Sequence, residues 1–114
     1  MRPGEIYQAD FGEAGPHPVI ILSREELNRG HYLLAVVCTT ARFAIRSKLP
    51  NCVPFRGGVF GFSTDCVAQC ENLLSIHKDQ IDLGRGPIGK LDAITMRDIV
   101  KAVGYVIEAE CEPT

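Results

Sequence analysis

The sequence predicts a mainly β protein, built as an antiparallel, strongly curved sheet with one amphipathic helix packed against it. Two observations support this fold class. Short apolar or alternating segments follow one another between turns rich in Gly and Pro. Residues 92–107 break that pattern and repeat apolar side chains at helical spacing. Because no repeat, linker or shift in composition divides the 114 residues, we expect one domain covering residues 1–114.

The first half of the chain supplies three of the predicted strands. Residues 5–10 alternate in polarity and predict a short strand, and residues 11–18 (FGEAGPHP) predict a loop. Residues 19–23 (VIILS) form a continuous run of β-branched residues and Leu that ends in Ser, which is typical of a buried strand. Residues 24–30 predict a polar connection with one helical turn. Residues 31–40 (HYLLAVVCTT) predict the next strand, which ends in two threonines.

The second half is less regular. Residues 41–48 mix polar and apolar side chains, and their pattern does not favour one type of secondary structure. Residues 49–54 are bounded by prolines, which favours an edge strand. Residues 59–62 (VFGF) fit either a bulged strand or a loop. Residues 65–76 predict another strand, whose register we expect to break near Glu71.

A polar, Gly-rich connection over residues 77–89 leads to the helix. Asp92 is suited to be its N-cap, since the carboxylate can accept a backbone N–H of the first turn. The apolar side chains that we expect on the core face lie at the spacing of one helix side: Met96, Ile99, Val100, Val103 and Ile107.

Composition excludes several classes of protein. Hydrophobic residues make up 46% and charged residues 23% of the chain, as in ordinary soluble globular proteins. No run approaches the ~18 apolar residues of a membrane helix, and the N-terminus lacks a signal-peptide pattern. We therefore expect a cytoplasmic protein with no membrane contact.

The five cysteines form no C-x-x-C pair, the spacing typical of a zinc site, so we predict no metal. They are interpreted as small buried side chains in a reducing compartment, with a redox or metal role as the alternative.

The charge is unevenly distributed although the net charge is only −2. Residues 27–64 contain no Asp or Glu. Such a stretch can bind a phosphate backbone, or it can be a solvated basic loop, and charge alone does not decide between the two. Its cations are Arg29, Arg42, Arg46, Lys48 and Arg56.

The order of short motifs resembles one protein family, the PemK/MazF-like toxins. Residues 2–7 (RPGEIY) resemble the opening of these toxins, and residues 15–23 (GPHPVIILS) resemble their G-x-x-R-P loop and the strand after it. Residues 36–40 (VVCTT) resemble V-V-P-x-T. Residues 65–81 and 88–91 (IGKL) resemble the later strand and the lead into the C-terminal helix. The resemblance extends over nearly the whole chain.

The resemblance implies an SH3-like, partly open antiparallel barrel with a terminal helix, usually a homodimer. It also implies a cofactor-free endoribonuclease that cleaves single-stranded RNA, here mRNA, without metal. In such an enzyme the ribose 2′-OH attacks the neighbouring phosphate and leaves a 2′,3′-cyclic phosphate. The implied partner is a small antitoxin that occupies the RNA groove.

Two catalytic positions carry over, and one is changed. The family Thr corresponds to Thr40, whereas the family Arg corresponds to His17 and the family Pro to Cys38. An imidazole can give and take a proton, which Arg cannot easily do, but it lacks the bidentate guanidinium fork for phosphate. We therefore predict His17 and Thr40 as catalytic residues, with attenuated activity left open. The predicted RNA-binding cations are Arg42, Arg46, Lys48 and Arg56.

A second hypothesis belongs to a different functional class. With the Arg position changed, the same fold can serve as an inactive module that binds RNA, an antitoxin or a gyrase-type protein target without cleaving anything.

Overall fold

The computed structural model describes residues 1–109. Residues 110–114, which include Cys111 and the end of the predicted domain, lie outside the described part. The strands are β1 (Glu5–Asp10), β2 (Pro16–Ile21), β3 (Tyr32–Thr39), β4 (Cys52–Phe55), β5 (Cys66–His77) and β6 (Gly89–Lys90), and the α-helices are α1 (Phe43–Arg46) and α2 (Ala93–Val106).

These six strands form one antiparallel sheet in the order β4-β5-β3-β2-β1-β6. The mainly β class, the curved sheet and the C-terminal helix are therefore confirmed. The segment after β3 forms the short helix α1, and β4 lies at the sheet edge as Pro50 and Pro54 predict. Residues 59–62 form a turn, not a strand.

The second half of β2 is buried on both sheet faces, and its apolar run predicts a buried strand. Val19, Ile20 and Ile21 have no exposed surface. Ile20 packs in the core beneath α2, together with Ile6, while Val19 and Ile21 belong to a second core on the opposite face. Burying two faces of the central strands is what holds the curved sheet together.

The register between β3 and β5 breaks where the sequence predicts. Val36 pairs with Leu73, but Val37 pairs with Gln69, so residues 70–72 have no β3 partner. The extra residues bend β5, and a bulge of this kind increases the local twist of the sheet. The bend separates the stretch of β5 near the cleft described below from the rest of the strand.

The predicted loop over residues 11–18 is wrong in its second half. Strand β2 begins at Pro16, where Pro16 pairs with Asp10 and Pro18 with Gln8 of β1. On the other side, the ladder to β3 starts only at Val19. The two prolines therefore lie where the strand has one neighbour, and their missing N–H groups break no bond to β3.

The N-cap of α2 is as predicted, because the Asp92 carboxylate accepts the backbone N–H of Thr95 at 2.7 Å. Among residues 1–109, no helix has the length and apolar character that a membrane span requires.

The predicted core face of α2 is partly wrong. Ile99 is fully buried, but Val100 is 60% exposed and Ile107 is 62% exposed. Ala102 is buried instead. The sheet covers a narrow stripe centred on Ile99 and Ala102, and Ile107 lies just past the last helical residue, Val106. The apolar residues of α2 extend beyond this buried stripe. Their spacing alone therefore does not show which of them face the sheet.

Candidate active site

A cleft of about 340 Å³ opens at one end of the sheet, where β1, β2 and β3 face the loops that precede β5 and β6. Three strand ends and two loops contribute to it, so its lining comes from most of the chain. The polar and charged side chains in the lining are Gln8, His17, Thr39, Thr40, Ser63, Thr64 and Arg85.

The cleft contains both predicted catalytic residues. His17 lies on β2, held by its pairing with Ala9 of β1, and Thr40 directly follows the last residue of β3. Because Val19 pairs with Val37, His17, two residues back along β2, and Thr40, three residues on from Val37, lie at the same end of the sheet. The resemblance to the toxin family predicts that His17 and Thr40 lie close together, and the pairing of β2 with β3 accounts for it.

Both ring nitrogens of His17 face backbone carbonyl oxygens. Nε2 lies 3.0 Å from the oxygen of Ala14, and Nδ1 lies 3.3 Å from the oxygen of Cys38. A neutral imidazole carries one N–H and can donate to only one of them, whereas an imidazolium can donate to both. In this conformation the ring therefore offers no free lone pair to a substrate.

Thr40 has an exposed side chain, whereas residues 35–38 of β3 are buried. The hydroxyl of the neighbouring Thr39 accepts the backbone N–H of Ala41 at 3.2 Å and so stabilises the turn after the strand. Within residues 1–109 the Thr40 hydroxyl has no such partner, which leaves it available to a ligand in the cleft.

The four predicted RNA-binding cations do not line the cleft. Arg42 and Arg46 belong to the α1 segment and Lys48 to the turn after it, in a basic stretch that begins two residues beyond Thr40. Arg56 forms an ion pair with Asp65 at 3.0 Å and lies over the ring of a nearby aromatic residue, with its guanidinium carbon 5.3 Å from the Phe43 centroid.

Asp65 is held as a carboxylate by its neighbours. The backbone N–H of Gly57 donates to it at 2.8 Å, and this bond, followed by the one from Arg56, lowers the pKa of Asp65. The Asp65 contacts bind the segment before β5 to the turn after β4, and they occupy the Arg56 guanidinium outside the cleft.

Arg85 is the arginine that does line the cleft, and sequence reasoning missed it. It lies in the Gly84-Arg85-Gly86 turn, where its backbone N–H donates to the Asp82 carboxylate at 3.3 Å. Its guanidinium forms no ion pair within the described part of the chain. The G-R-G triplet is the signal that could have marked it.

The loop carrying Arg85 is set against the opposite wall by two glycines. A Cβ on Gly89 would lie 1.6 Å from the carbonyl oxygen of Phe60, and one on Gly61 would lie 1.9 Å from that of Ile88. The two backbones therefore cross with no room for a side chain. This crossing sets the distance between the Arg85 side of the cleft and the wall that contains Ser63.

A family model for PemK-like, MazF-like toxins of type II toxin–antitoxin systems matches residues 2–107. The chain belongs to this toxin family. The family inferred from the motif order is thus confirmed over almost the whole chain. No curated protein sequence matches the toxin.

Solved structures show the same fold. The toxin is similar to an endoribonuclease in complex with its cognate antitoxin from a mycobacterial species, with 25% identity, a TM-score of 0.79 and coverage of 98% of this chain and 99% of that one. It is similar to the Mycobacterium tuberculosis toxin MazF-mt6, with 23% identity, a TM-score of 0.78 and coverage of 94% and 99%. A MazE-MazF structure (Form-II) from Deinococcus radiodurans gives 14% identity, a TM-score of 0.74 and coverage of 96% and 97%.

Four cysteines of the toxin lie in the described part, and all are buried with free thiols: Cys38, Cys52, Cys66 and Cys70. No three His, Cys, Asp or Glu side chains within residues 1–109 come together as a metal site. The prediction of buried thiols is confirmed for these four.

Proposed function

We propose that this PemK/MazF-like toxin is an endoribonuclease that cleaves single-stranded mRNA in the cleft between His17, Thr40 and Arg85. The ribose 2′-OH attacks the adjacent phosphate, and the product carries a 2′,3′-cyclic phosphate. No metal or cofactor takes part. The observation that carries the proposal is that His17 and Thr40, far apart in sequence, line one cleft. The similarity in fold to a mycobacterial endoribonuclease supports the same activity.

Phosphate stabilisation is assigned to Thr40 and Arg85. Negative charge grows on the non-bridging oxygens as the 2′-oxygen attacks, so donors aimed at those oxygens lower the barrier. The Thr40 hydroxyl supplies one hydrogen bond. The Arg85 guanidinium supplies a fixed positive charge with up to five N–H donors, and no carboxylate of the described residues neutralises it.

Proton transfer is assigned to His17. To take the 2′-OH proton or to protonate the leaving 5′-oxygen, one ring nitrogen must first leave its carbonyl partner. The contact of Nε2 with the Ala14 carbonyl is the exposed one, whereas the Nδ1 contact with Cys38 is partly buried. We assign the exchangeable position to Nε2, with Nδ1 keeping the ring in place. The need to move Nε2 away from the Ala14 carbonyl is a physical reason for attenuated activity.

The RNA leaves the cleft along the α1 segment in this proposal. Arg42, Arg46 and Lys48 follow Thr40 closely in the chain and carry no acidic neighbour in sequence. Their contacts with phosphates make binding weaken as salt rises. Arg56 joins them only if its ion pair with Asp65 opens.

The proposed partners follow from the family and its solved structures. A small antitoxin is proposed to cover the cleft, since the mycobacterial neighbour was solved in complex with its cognate antitoxin. The toxin is proposed to act as a homodimer in the cytoplasm.

The direct test incubates the purified toxin with labelled single-stranded RNA in EDTA. We expect fragments that end in a 2′,3′-cyclic phosphate, identified by mass spectrometry. His17→Ala and Thr40→Ala are each expected to suppress cleavage, while the control His31→Ala, at an exposed histidine outside the cleft lining, is expected to leave it unchanged. Attenuation by His17 predicts that His17→Arg cleaves faster than the natural chain. RNA that stays intact over a broad pH range contradicts the proposal.

A second candidate is a binding module without cleavage, and one observation favours it. Neither nitrogen of His17 is free in the structure. Filter binding of RNA at low and high salt separates the two candidates. Salt-sensitive binding without cleavage supports an RNA-binding module, and the absence of salt-sensitive binding points to a protein target.

A further inference from the structure

Two thiols lie in the wall of the cleft. Cys38 is on β3, one residue before the strand ends, and Cys66 is the first residue of β5. Both belong to the cleft lining, and both are nearly enclosed, with exposed fractions of 0% for Cys38 and 3% for Cys66. Both residues border the space that a small reagent entering the cleft would occupy.

The sheet register places the two side chains on one face. Cys38 pairs with Ala68, and Cys66 lies two residues away on the same strand, so it projects to the same side. Such diagonal neighbours have Cα atoms roughly 7–8 Å apart, slightly more than the ~6.8 Å upper end for disulfides. A shift of roughly 1 Å at the strand ends therefore brings the sulfurs within bonding reach. Both residues lie near such ends.

Cys66 and Cys38 also differ in acidity. A hydrogen bond from the Cys38 thiol lowers the pKa of Cys66, while the same contact and burial raise the pKa of Cys38. The pKa values of the other two described thiols are raised. Burial raises the pKa of Cys70 to about 12 and also raises that of Cys52. Because the thiolate is the reactive form, Cys66 is the thiol of this set best placed to react.

We propose that Cys66 is a reactive thiolate with Cys38 as its resolving partner, and that a hydroperoxide converts the pair to a disulfide inside the cleft. The Cys66 thiolate attacks the distal peroxide oxygen, so an S–O bond forms and the O–O bond breaks. Sulfur loses two electrons and becomes a sulfenic acid, and the peroxide leaves as hydroxide or alkoxide. The Cys38 sulfur then attacks the sulfenic sulfur, its proton and the sulfenic hydroxyl depart as water, and the S–S bond closes.

The disulfide would lie directly beside the proposed RNA site. The Cys38 carbonyl holds the His17 ring, Thr40 is two residues further on, and Thr64 shortly precedes Cys66. The thiol chemistry itself needs no RNA and no nuclease activity. It can therefore be tested independently of the proposed function.

Peptide mapping tests the proposal on the full-length protein. Reduced toxin is treated with hydrogen peroxide, blocked with N-ethylmaleimide and digested with trypsin. Cleavage after Lys and Arg places Cys38 in residues 30–42, Cys52 in residues 49–56, and both Cys66 and Cys70 in residues 57–78. We expect residues 30–42 to become disulfide-linked to residues 57–78 in a species that migrates as one chain without reductant.

Two matched variants assign the sulfur. Cys66→Ser is expected to lose the linked peptide, whereas Cys70→Ser is expected to keep it, and circular dichroism verifies that both are folded. In Cys38→Ser, the hydroxyl still donates to Cys66 but the sulfenic acid has no resolving thiol, so dimedone is expected to label residue 66. No linked peptide in the natural chain, a link that persists in Cys66→Ser, or dimedone labelling elsewhere than residue 66 each overturns the proposal.

Discussion

Replacing Gly89 by Ala should destabilise the toxin strongly, because the new methyl group would lie 1.6 Å from the carbonyl oxygen of Phe60. A comfortable carbon–oxygen contact is about 3.3 Å or longer, so the two backbones must separate by nearly 2 Å. The obstacle is backbone rather than a flexible side chain, which places the cost near the upper end for overpacking, about 3 kcal/mol. For a domain of this size that lowers Tm by roughly 10 °C.

Thermal unfolding followed by circular dichroism measures the effect, with Gly84→Ala as the control. Gly84 precedes the same stretch of chain, but a Cβ there meets only the Asp82 carboxylate oxygen at an ordinary 3.5 Å. That variant should stay within about 0.5 kcal/mol of the natural chain, as surface substitutions usually do. If Gly89→Ala melts together with Gly84→Ala, the two loops are not in contact and the cleft wall described above is wrong.

Three further predictions concern the scaffold. Ile99→Ala should cost about 2–5 kcal/mol in urea unfolding because Ile99 is fully buried, whereas the exposed Val100→Ala on the same helix should cost far less; equal losses would contradict the observed helix face. Asn28→Ala should cost about 1–3 kcal/mol, since the buried amide donates to two backbone carbonyls that would lose this partner; a neutral result in the same assay would refute that role. The hydrogen bonds from Thr95 lower the pKa of Asp92 in the folded protein. Asp92 therefore stabilises the fold above about pH 4, the ordinary pKa of an unfolded Asp, and this stabilisation is lost as pH falls through the lower pKa of the folded state. Asp92→Asn keeps a capping oxygen without titrating, so its stability should fall less between neutral and acid pH; an identical acid loss would exclude Asp92 as a source.

The sequence pattern correctly predicted the strands and the helix cap that depend mainly on residues close together in the chain. Residues 5–10 alternate and form β1 with the predicted bounds, and Asp92 caps α2. The run at residues 19–23 predicts a buried strand, and residues 19–21 of it are the fully buried part of β2. The β5 break follows in the same way, since its alternation fails near Glu71.

What the sequence did not reveal depends on tertiary neighbours. Pro16 and Pro18 look like loop residues, and only the absence of a β3 partner beside them allows a strand. Whether Val100 or Ala102 meets the sheet depends on how α2 is rotated.

The candidate site divides in the same way. The motif order predicted that His17 and Thr40 would share a cleft. Arg85 lies on the long connection between β5 and β6. This connection has no helical or strand periodicity from which its position could be predicted. The carbonyl partners of the His17 ring were likewise invisible, because each depends on where a backbone oxygen of another segment points.

The most direct test of the account is metal-free cleavage of single-stranded RNA by the natural chain beside His17→Ala and Thr40→Ala. The account predicts fragments with 2′,3′-cyclic phosphate ends from the natural chain in EDTA, and suppression of these fragments in both variants. Cleavage that continues unchanged in both folded variants would contradict the assignment of this cleft as the active site.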